Sequence, residues 1–247
     1  MSSYPVSLYD FLKTHSGGFH KIVDFDEAKE NIVRFDFSDK NIELQQLDTT
    51  NTKKFSDYIS NKLKASNAKF GIGGYSENRS LYKKSKLFDI ESAKVSPPAD
   101  GGDLVTASRT LHLGIDIWGP EGTKVYAPFG GMIHSLAFNN NWGDYGATII
   151  LSHQLEGVSF YTLYGHLSLR DIVSIHEGYY ITRGQEFAHF GNENENGQWP
   201  PHLHFQVIKD MGVYKGDYPG VCNYTERKYY LKNSPDPDSI LSLNQYL

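Results

Sequence analysis

From about residue 69 onward, apolar and polar residues alternate in short runs that Gly, Asn and Pro interrupt. A period of two places every second side chain on one face of an extended chain, so such runs predict half-buried strands. Residues 130–138 read as a strand and 146–153 as its partner. Their link, Asn139 to Tyr145, is rich in turn formers. A third strand, 157–165, follows the short turn at Leu155-Glu156-Gly157, and 185–190 and 202–208 complete the set. Lys69 to Tyr75 reads as a strand with a glycine-rich exit, residues 96–103 as a loop, and Leu169 to Ile175 as a brief helix. Consecutive hairpins of this kind predict a mainly β chain with an antiparallel, sandwich-like or barrel-like core.

Residues 1–66 have a different texture and read as a small α+β appendage to a main domain spanning 67–247. Ser7 is placed to cap a short helix with Leu8, Phe11 and Leu12 on one face. Phe55, Ile59 and Leu63 repeat every four residues, which predicts a second helix over 50–66 capped by Thr50 or Asn51. Between them Val33, Phe35 and Phe37 alternate like a strand.

Charge and cysteine content remove several functional classes. The net charge is −5, from 24 basic and 29 acidic residues, with no basic run of the kind that binds nucleic acid. The single cysteine, Cys222, excludes an internal disulfide and a cysteine-rich zinc site, so any metal site must use His and carboxylates. The N-terminus lacks a charged stretch followed by an apolar one, and no run approaches the roughly 18 apolar residues of a membrane span. The expectation is a cytoplasmic protein without a membrane span.

Three patches carry chemistry. In His112-Leu113-Gly114-Ile115-Asp116, an extended chain would turn both polar groups to one face, with Gly114 between them leaving room for an ion or substrate. In His202-Leu203-His204, two imidazoles share a face, and Pro200-Pro201 keeps the entry out of helix. Tyr164-Gly165-His166-Leu167 ends a predicted strand. Two imidazoles and one carboxylate suit zinc and leave a fourth position for water. Two histidines then remain unliganded, one in each of two patches, as general acid–base chemistry would require. The other six, His15, His20, His134, His153, His176 and His189, read as structural or surface residues, with His153 the one placed to approach the site as an outer group. Trp142 and Trp199 flank loops and are candidate groove-lining residues, while Trp118 reads as packing.

Taken together, the three patches resemble the lysostaphin-type (LytM-like) zinc metallopeptidases. The flanks agree: Gly122 to Pro128 followed by Gly130 to Ile133, and Thr162-Leu163-Tyr164 before Gly165. The resemblance covers roughly residues 70–210. It implies an antiparallel β-sandwich-like core with a groove over the sheet, and one zinc per chain on His112, Asp116 and His204. It also implies His166 and His202 as the catalytic pair, with His202 the general base and His166 an oxyanion partner, or the reverse. The implied activity is endopeptidase cleavage of a peptide or peptidoglycan-like substrate, often at glycyl or D-amino-acid bonds. Some relatives carry an oxyanion-stabilising tyrosine shortly before the first histidine. Leu104 to Thr110 contains none, which leaves Tyr75, Arg79 and Arg109 as candidates. The run from Gly216 resembles a subgroup found fused to aminotransferase and kinase-like domains. Two other readings stand beside the enzyme: a non-catalytic binding or regulatory module, and a zinc-stabilised structural domain. Residues 1–66 could also shield the groove as a lid.

Overall fold

The computed structural model describes residues 7–79, 81–82 and 108–247, so the loop read at 96–103 and residues 104–107 lie outside the described chain. The strands are β1 (Asn31–Phe35), β2 (Ala68–Gly73), β3 (Leu111–His112), β4 (Ile115–Trp118), β5 (Lys124–Tyr126), β6 (Gly131–Asn139), β7 (Gly146–Leu155), β8 (Val158–Leu167), β9 (Tyr180–Ile181), β10 (Glu186–His189), β11 (His202–Ile208) and β12 (Val221–Cys222). The helices are α1 (Leu8–His15), α2 (Ile42–Gln46), α3 (Thr52–Ala65), α4 (Arg170–Val173), α5 (Arg227–Asn233) and α6 (Asp238–Leu241).

Eight strands form one sheet in the order β1-β2-β4-β11-β8-β7-β6-β9, and the pairs β5–β10 and β3–β12 form two small ribbons. From β2 to β9 every pairing is antiparallel, as the hairpin pattern predicts. The whole is mainly β with one large mixed sheet. It differs from a barrel because no pairing among the described residues joins β1 to β9, and what stands beside the sheet is a pair of two-stranded ribbons.

The sheet is mixed because β1 pairs with β2 in parallel. Parallel neighbours need a crossover, and α3 supplies it. Asn51 caps α3 by accepting from the Lys54 N–H at 3.1 Å, and Phe55 and Ile59, four apart, bury its inner face. Ser7 caps α1 in the same way through the Asp10 N–H. Residues 7–66 therefore share their packing with the rest of the described chain. Leu12, Ile22, Val23, Phe25 and Ile32 lie in the same apolar cluster as Ile115, Tyr164 and Phe205 of the sheet.

That cluster covers one face of the sheet. On the other face two smaller clusters flank a gap. One holds Phe35, Phe37, Phe55, Ile59 and Trp118; the other holds Tyr145, Ile150, Leu163, Ile208 and Tyr218. The gap between them, over β4, β11 and β8, is where the three polar patches meet. No helix among the described residues is long and apolar enough to cross a membrane.

Phe55 joins the crossover helix to the wall of the gap through Trp118 at 5.7 Å and Trp199 at 6.3 Å. Phe55→Ala should cost about 3–5 kcal/mol. Because its cluster is continuous with the sheet, urea unfolding should show a single transition moved to lower denaturant. A separate early transition for the N-terminal part would contradict the shared packing.

Candidate metal centre

Strand β11 organises the site. His204 lies opposite Asp116 of β4 on one side and Gly165 of β8 on the other, and His202 lies opposite Trp118. His202, His204 and Gln206 face the gap, while Leu203, Phe205 and Val207 enter the apolar cluster.

The first patch arrives differently from the sequence reading. His112 and Asp116 do not share one strand: β3 ends at His112, the chain breaks at Leu113-Gly114, and β4 begins at Ile115. The two side chains still converge, with His112 Nε2 3.2 Å from Asp116 Oδ1. Gly114 also has another role. A Cβ there would sit 2.6 Å from the His204 ring, so the space it leaves is occupied by the imidazole itself.

Three donor atoms converge. His204 Nδ1 is 3.0 Å from Asp116 Oδ1 and 3.0 Å from His112 Nε2, and all three residues are buried. The outer atoms fix the protons. His112 Nδ1 lies 2.9 Å from the Gly74 carbonyl, which can only accept, so the proton is on Nδ1 and Nε2 presents a lone pair. His204 Nε2 lies 3.0 Å from Gln206 Oε1, so the proton is there and Nδ1 presents the lone pair. Two nitrogen lone pairs and a carboxylate oxygen thus face one point with no proton between them, an arrangement that calls for a cation. A tetrahedral zinc at about 2.0–2.1 Å from each donor would hold them about 3.3 Å apart, close to the spacing here. The other Asp116 oxygen is held by Arg79, whose Nη1 lies 2.5 Å from Oδ2. Burial pushes the Asp116 carboxyl up, but the Arg79 guanidinium bonded to it outweighs this and keeps the acid ionised.

The catalytic candidates stand beside this centre. In a regular strand His166 would point with Tyr164 into the apolar cluster. Instead the register between β7 and β8 shifts, with Ile149 opposite Tyr164 and Ala147 opposite Leu167, and His166 takes a positive φ of 62°. This bulge swings the ring back over the gap. It is held by His166 N–H to Tyr145 O at 2.7 Å and Gly191 N–H to His166 O at 2.9 Å. The ring stacks on His202 at 4.1 Å, and His202 stacks on Trp118 at 3.8 Å, so His202 is sandwiched. Both histidines donate Nδ1–H to a carbonyl: His166 to Asn196 at 2.8 Å and His202 to Pro200 at 2.8 Å. Each is thereby left with a free lone pair on Nε2. Burial pushes His202 down to about 4 and His166 well below its ordinary value, so both are neutral bases.

The three other candidates have different fates. The Tyr75 hydroxyl donates to Ser234 O at 2.6 Å. Arg79 is buried on Asp116, Glu77 at 2.7 Å and the Tyr82 hydroxyl at 3.0 Å, so it steadies a candidate metal ligand. Arg109 lines the pocket, close enough to Asp217 to pull down a carboxyl that burial and Asp144 push up. His153 stays away from the site: it bonds Gly130 O and Thr162 Oγ1 among Phe129 and Phe160. Trp199 does line the pocket.

Tyr145, which the sequence shows only as part of a turn, is a site residue. Its ring lies 5.6 Å from His166 and 5.1 Å from His204, seated where a side chain at Gly165 or Gly220 would collide with it. Its hydroxyl is 3.5 Å from His204 Nε2, whose proton already goes to Gln206, so its own hydrogen remains available to the pocket. Burial holds the phenol well above its ordinary pKa and therefore protonated.

Residues 110–216 match the model of peptidase family M23. This stretch is an M23 peptidase domain. Among solved structures the chain is similar to a zinc-containing peptidase from Vibrio cholerae, at 25% identity over 43% of this chain and 29% of that one, with a TM-score of 0.33. It is similar to the catalytic domain of the antimicrobial peptidase lysostaphin from Staphylococcus simulans, at 25% identity over 49% of this chain and 80% of that one, with a TM-score of 0.34. It is also similar to the SpoIIQ–SpoIIIAH pore-forming complex, at 21% identity over 47% of this chain and 65% of that one, with a TM-score of 0.33. The chain spans less than a third of the Vibrio cholerae chain, of which 29% is covered. No curated protein matches it by sequence.

Two outcomes follow from this geometry. At most positions Gly is about 1 kcal/mol less stable than Ala, but at His166 the positive φ reverses the comparison, since a Cβ there costs about 1–2 kcal/mol. His166→Gly should therefore melt no lower than His166→Ala; a lower melting temperature would show the bulge is unstrained. The second outcome concerns acid. His112, His153 and His202 have values lowered to about 4, so as pH falls below about 6.5 the unfolded chain takes up protons that the native chain refuses. Stability of the metal-free protein should fall between pH 6.5 and about 4, by about 1.4 kcal/mol per pH unit for each histidine. Urea unfolding at pH 7 and pH 5 measures this, and equal stabilities would contradict it.

Proposed function

We propose that the chain is a zinc-dependent metalloendopeptidase acting on peptide bonds, with peptidoglycan cross-link peptides as its substrate class. The observation that carries the reading is the convergence of His112 Nε2, His204 Nδ1 and Asp116 Oδ1 as bare acceptors beside two further neutral imidazoles. A binding module that had abandoned catalysis would have no need of all five side chains.

His112, Asp116 and His204 would hold the zinc, which when bound supplies Lewis acidity that activates water and polarises a carbonyl. The protein's own groups do the rest. His202 Nε2 accepts the proton of the attacking water and returns it to the leaving amine. Its orientation is set by the Pro200 carbonyl and the faces of Trp118 and His166. His166 Nε2 can perform the same transfer. With the rings 4.1 Å apart, the pair carries one proton at a time, because two charges in a buried stack repel. As a neutral ring His166 is an acceptor at Nε2 and serves an oxyanion only once protonated. The neutral donor for that oxygen is the Tyr145 hydroxyl, which is protonated, fixed by packing and turned to the pocket. Trp199, Tyr214 and Asp217 line the groove in which the peptide would lie.

Elemental analysis tests the metal first: one zinc per chain is expected in the wild type, and none in His112→Ala or His204→Ala. Loss of metal from His202→Ala or His166→Ala would instead move those residues into the ligand set. On a glycyl peptide substrate, His202→Ala should lower kcat about 100-fold or more, and Tyr145→Phe about 10-fold or more with little change in KM. If wild-type turnover survived in both His202→Ala and His166→Ala, the proton-transfer assignment would be wrong.

A further inference from the structure

One polar side chain on the site face of β11 has entered so far only as the acceptor for His204 Nε2–H. Gln206 continues the alternation of His202 and His204 and is fully buried. A buried amide is costly unless its groups are paired, and here all of them are. Gln206 Nε2 donates to Pro219 O at 3.2 Å and to Ser234 Oγ at 2.9 Å, and Oε1 lies 3.0 Å from His204 Nε2. The backbone carbonyl of Pro219 can only accept, so the amide nitrogen must face it and the amide oxygen must face His204. That oxygen can only accept in turn, which places the imidazole proton on Nε2 and the lone pair on Nδ1.

Without this acceptor the ring would have a better alternative. A proton on Nδ1 would face Asp116 Oδ1 at 3.0 Å and form a hydrogen bond with it. The metal-free centre would then close on itself, and an incoming cation would have to break that bond. Gln206 denies the ring this tautomer.

Both partners that orient the amide, Pro219 and Ser234, lie beyond residue 216, where the family match ends. The same segment braces the other histidine ligand. Val221 pairs with His112 across the β3–β12 ribbon, and Leu113 N–H donates to Gly220 O at 2.9 Å. Ser234 O takes the Tyr75 hydroxyl, and Tyr75 directly follows Gly74, whose carbonyl holds His112 Nδ1.

We infer that Gln206 is a positioning residue that selects the metal-binding tautomer of His204, and that residues 219–234 belong to the metal centre because they hold its amide in one orientation. The inference rests on the reading that His112, Asp116 and His204 bind a metal ion.

The test uses the full-length chain, stripped of metal, with zinc affinity measured by competition against a chromophoric chelator. Gln206→Met should bind zinc about 10–100-fold more weakly than wild type, the usual cost of removing a partner of a ligating histidine. Gln206→Glu keeps an acceptor at the same place and should stay within a few-fold of wild type. In the metal-free proteins, imidazole nitrogen shifts should report the His204 proton on Nε2 in wild type, and a population on Nδ1 in Gln206→Met. If Gln206→Met does not fold, Ser234→Ala carries the same two measurements, with a smaller loss of affinity and a smaller Nδ1 population expected. Undiminished affinity in Gln206→Met, or in Ser234→Ala where it stands in, would overturn this inference and leave the metal reading intact. So would a loss in Gln206→Glu as large as that in Gln206→Met, because the cause would then be packing. Zinc uptake by none of the proteins, wild type included, would overturn both.

Discussion

Strand β11 is paired on both edges, and its register decides where every functional group on the open face lands. With His204 opposite Asp116, the carboxylate and the imidazole are neighbours across the β4 ladder. With His204 opposite Gly165, the β8 side is left without a side chain, and the Tyr145 ring fills the place. A slip of one residue would bury both histidines in the apolar cluster and turn Leu203 and Phe205 to the groove. The apolar face thus enforces the register, and the register assembles the site. Hydrophobic packing on one side of the sheet holds the polar chemistry on the other.

Local departures from regular strand geometry then adjust what the register alone would misplace. The bulge at Gly165-His166 turns a side chain through the sheet to the opposite face, at the cost of a left-handed residue that is not glycine. The break at Gly114 lets His112 leave the sheet for a ribbon with the C-terminal segment while its ring stays beside Asp116. Backbone carbonyls of Gly74, Pro200 and Asn196 set the protonation of three imidazoles, and an amide sets the fourth. Main chain at element ends is well suited to this because a carbonyl can only accept.

Much of this was legible in the sequence, and the failures have physical reasons. The alternation in His202-Leu203-His204 reported the true geometry, because a strand's period of two is local. Asn51 and Ser7 announced their helices because capping is equally local. His112 and Asp116 do lie side by side, but they meet across the gap between β3 and β4 and not along one strand. The parallel β1–β2 pair was hidden because its partners are joined through a helix. Tyr145 carried no signal at all: its place depends on glycines at 165 and 220, far away in sequence. Gln206 did carry one, because it extends the i, i+2 series of the two histidines, but its meaning depends on Ser234. The antiparallel core was readable from hairpin spacing, whereas the lack of a β1–β9 pairing among the described residues depends on long-range topology that spacing does not encode.

The contacts that complete the centre span long stretches of chain: 92 residues separate His112 from His204, and 159 separate Tyr75 from Ser234. Contacts of such separation form late, because the loop entropy they require is recovered only when most of the sheet exists. On the ribosome, the peptide that carries His112, Asp116 and His166 emerges well before the one that carries His204 and the segment that steadies it. A growing chain therefore holds most of the centre's side chains before it can bring them together. The donor atoms come together only after residues 219–234 have folded onto β3 and β11, so the centre reports on the completed sheet and not on any one segment.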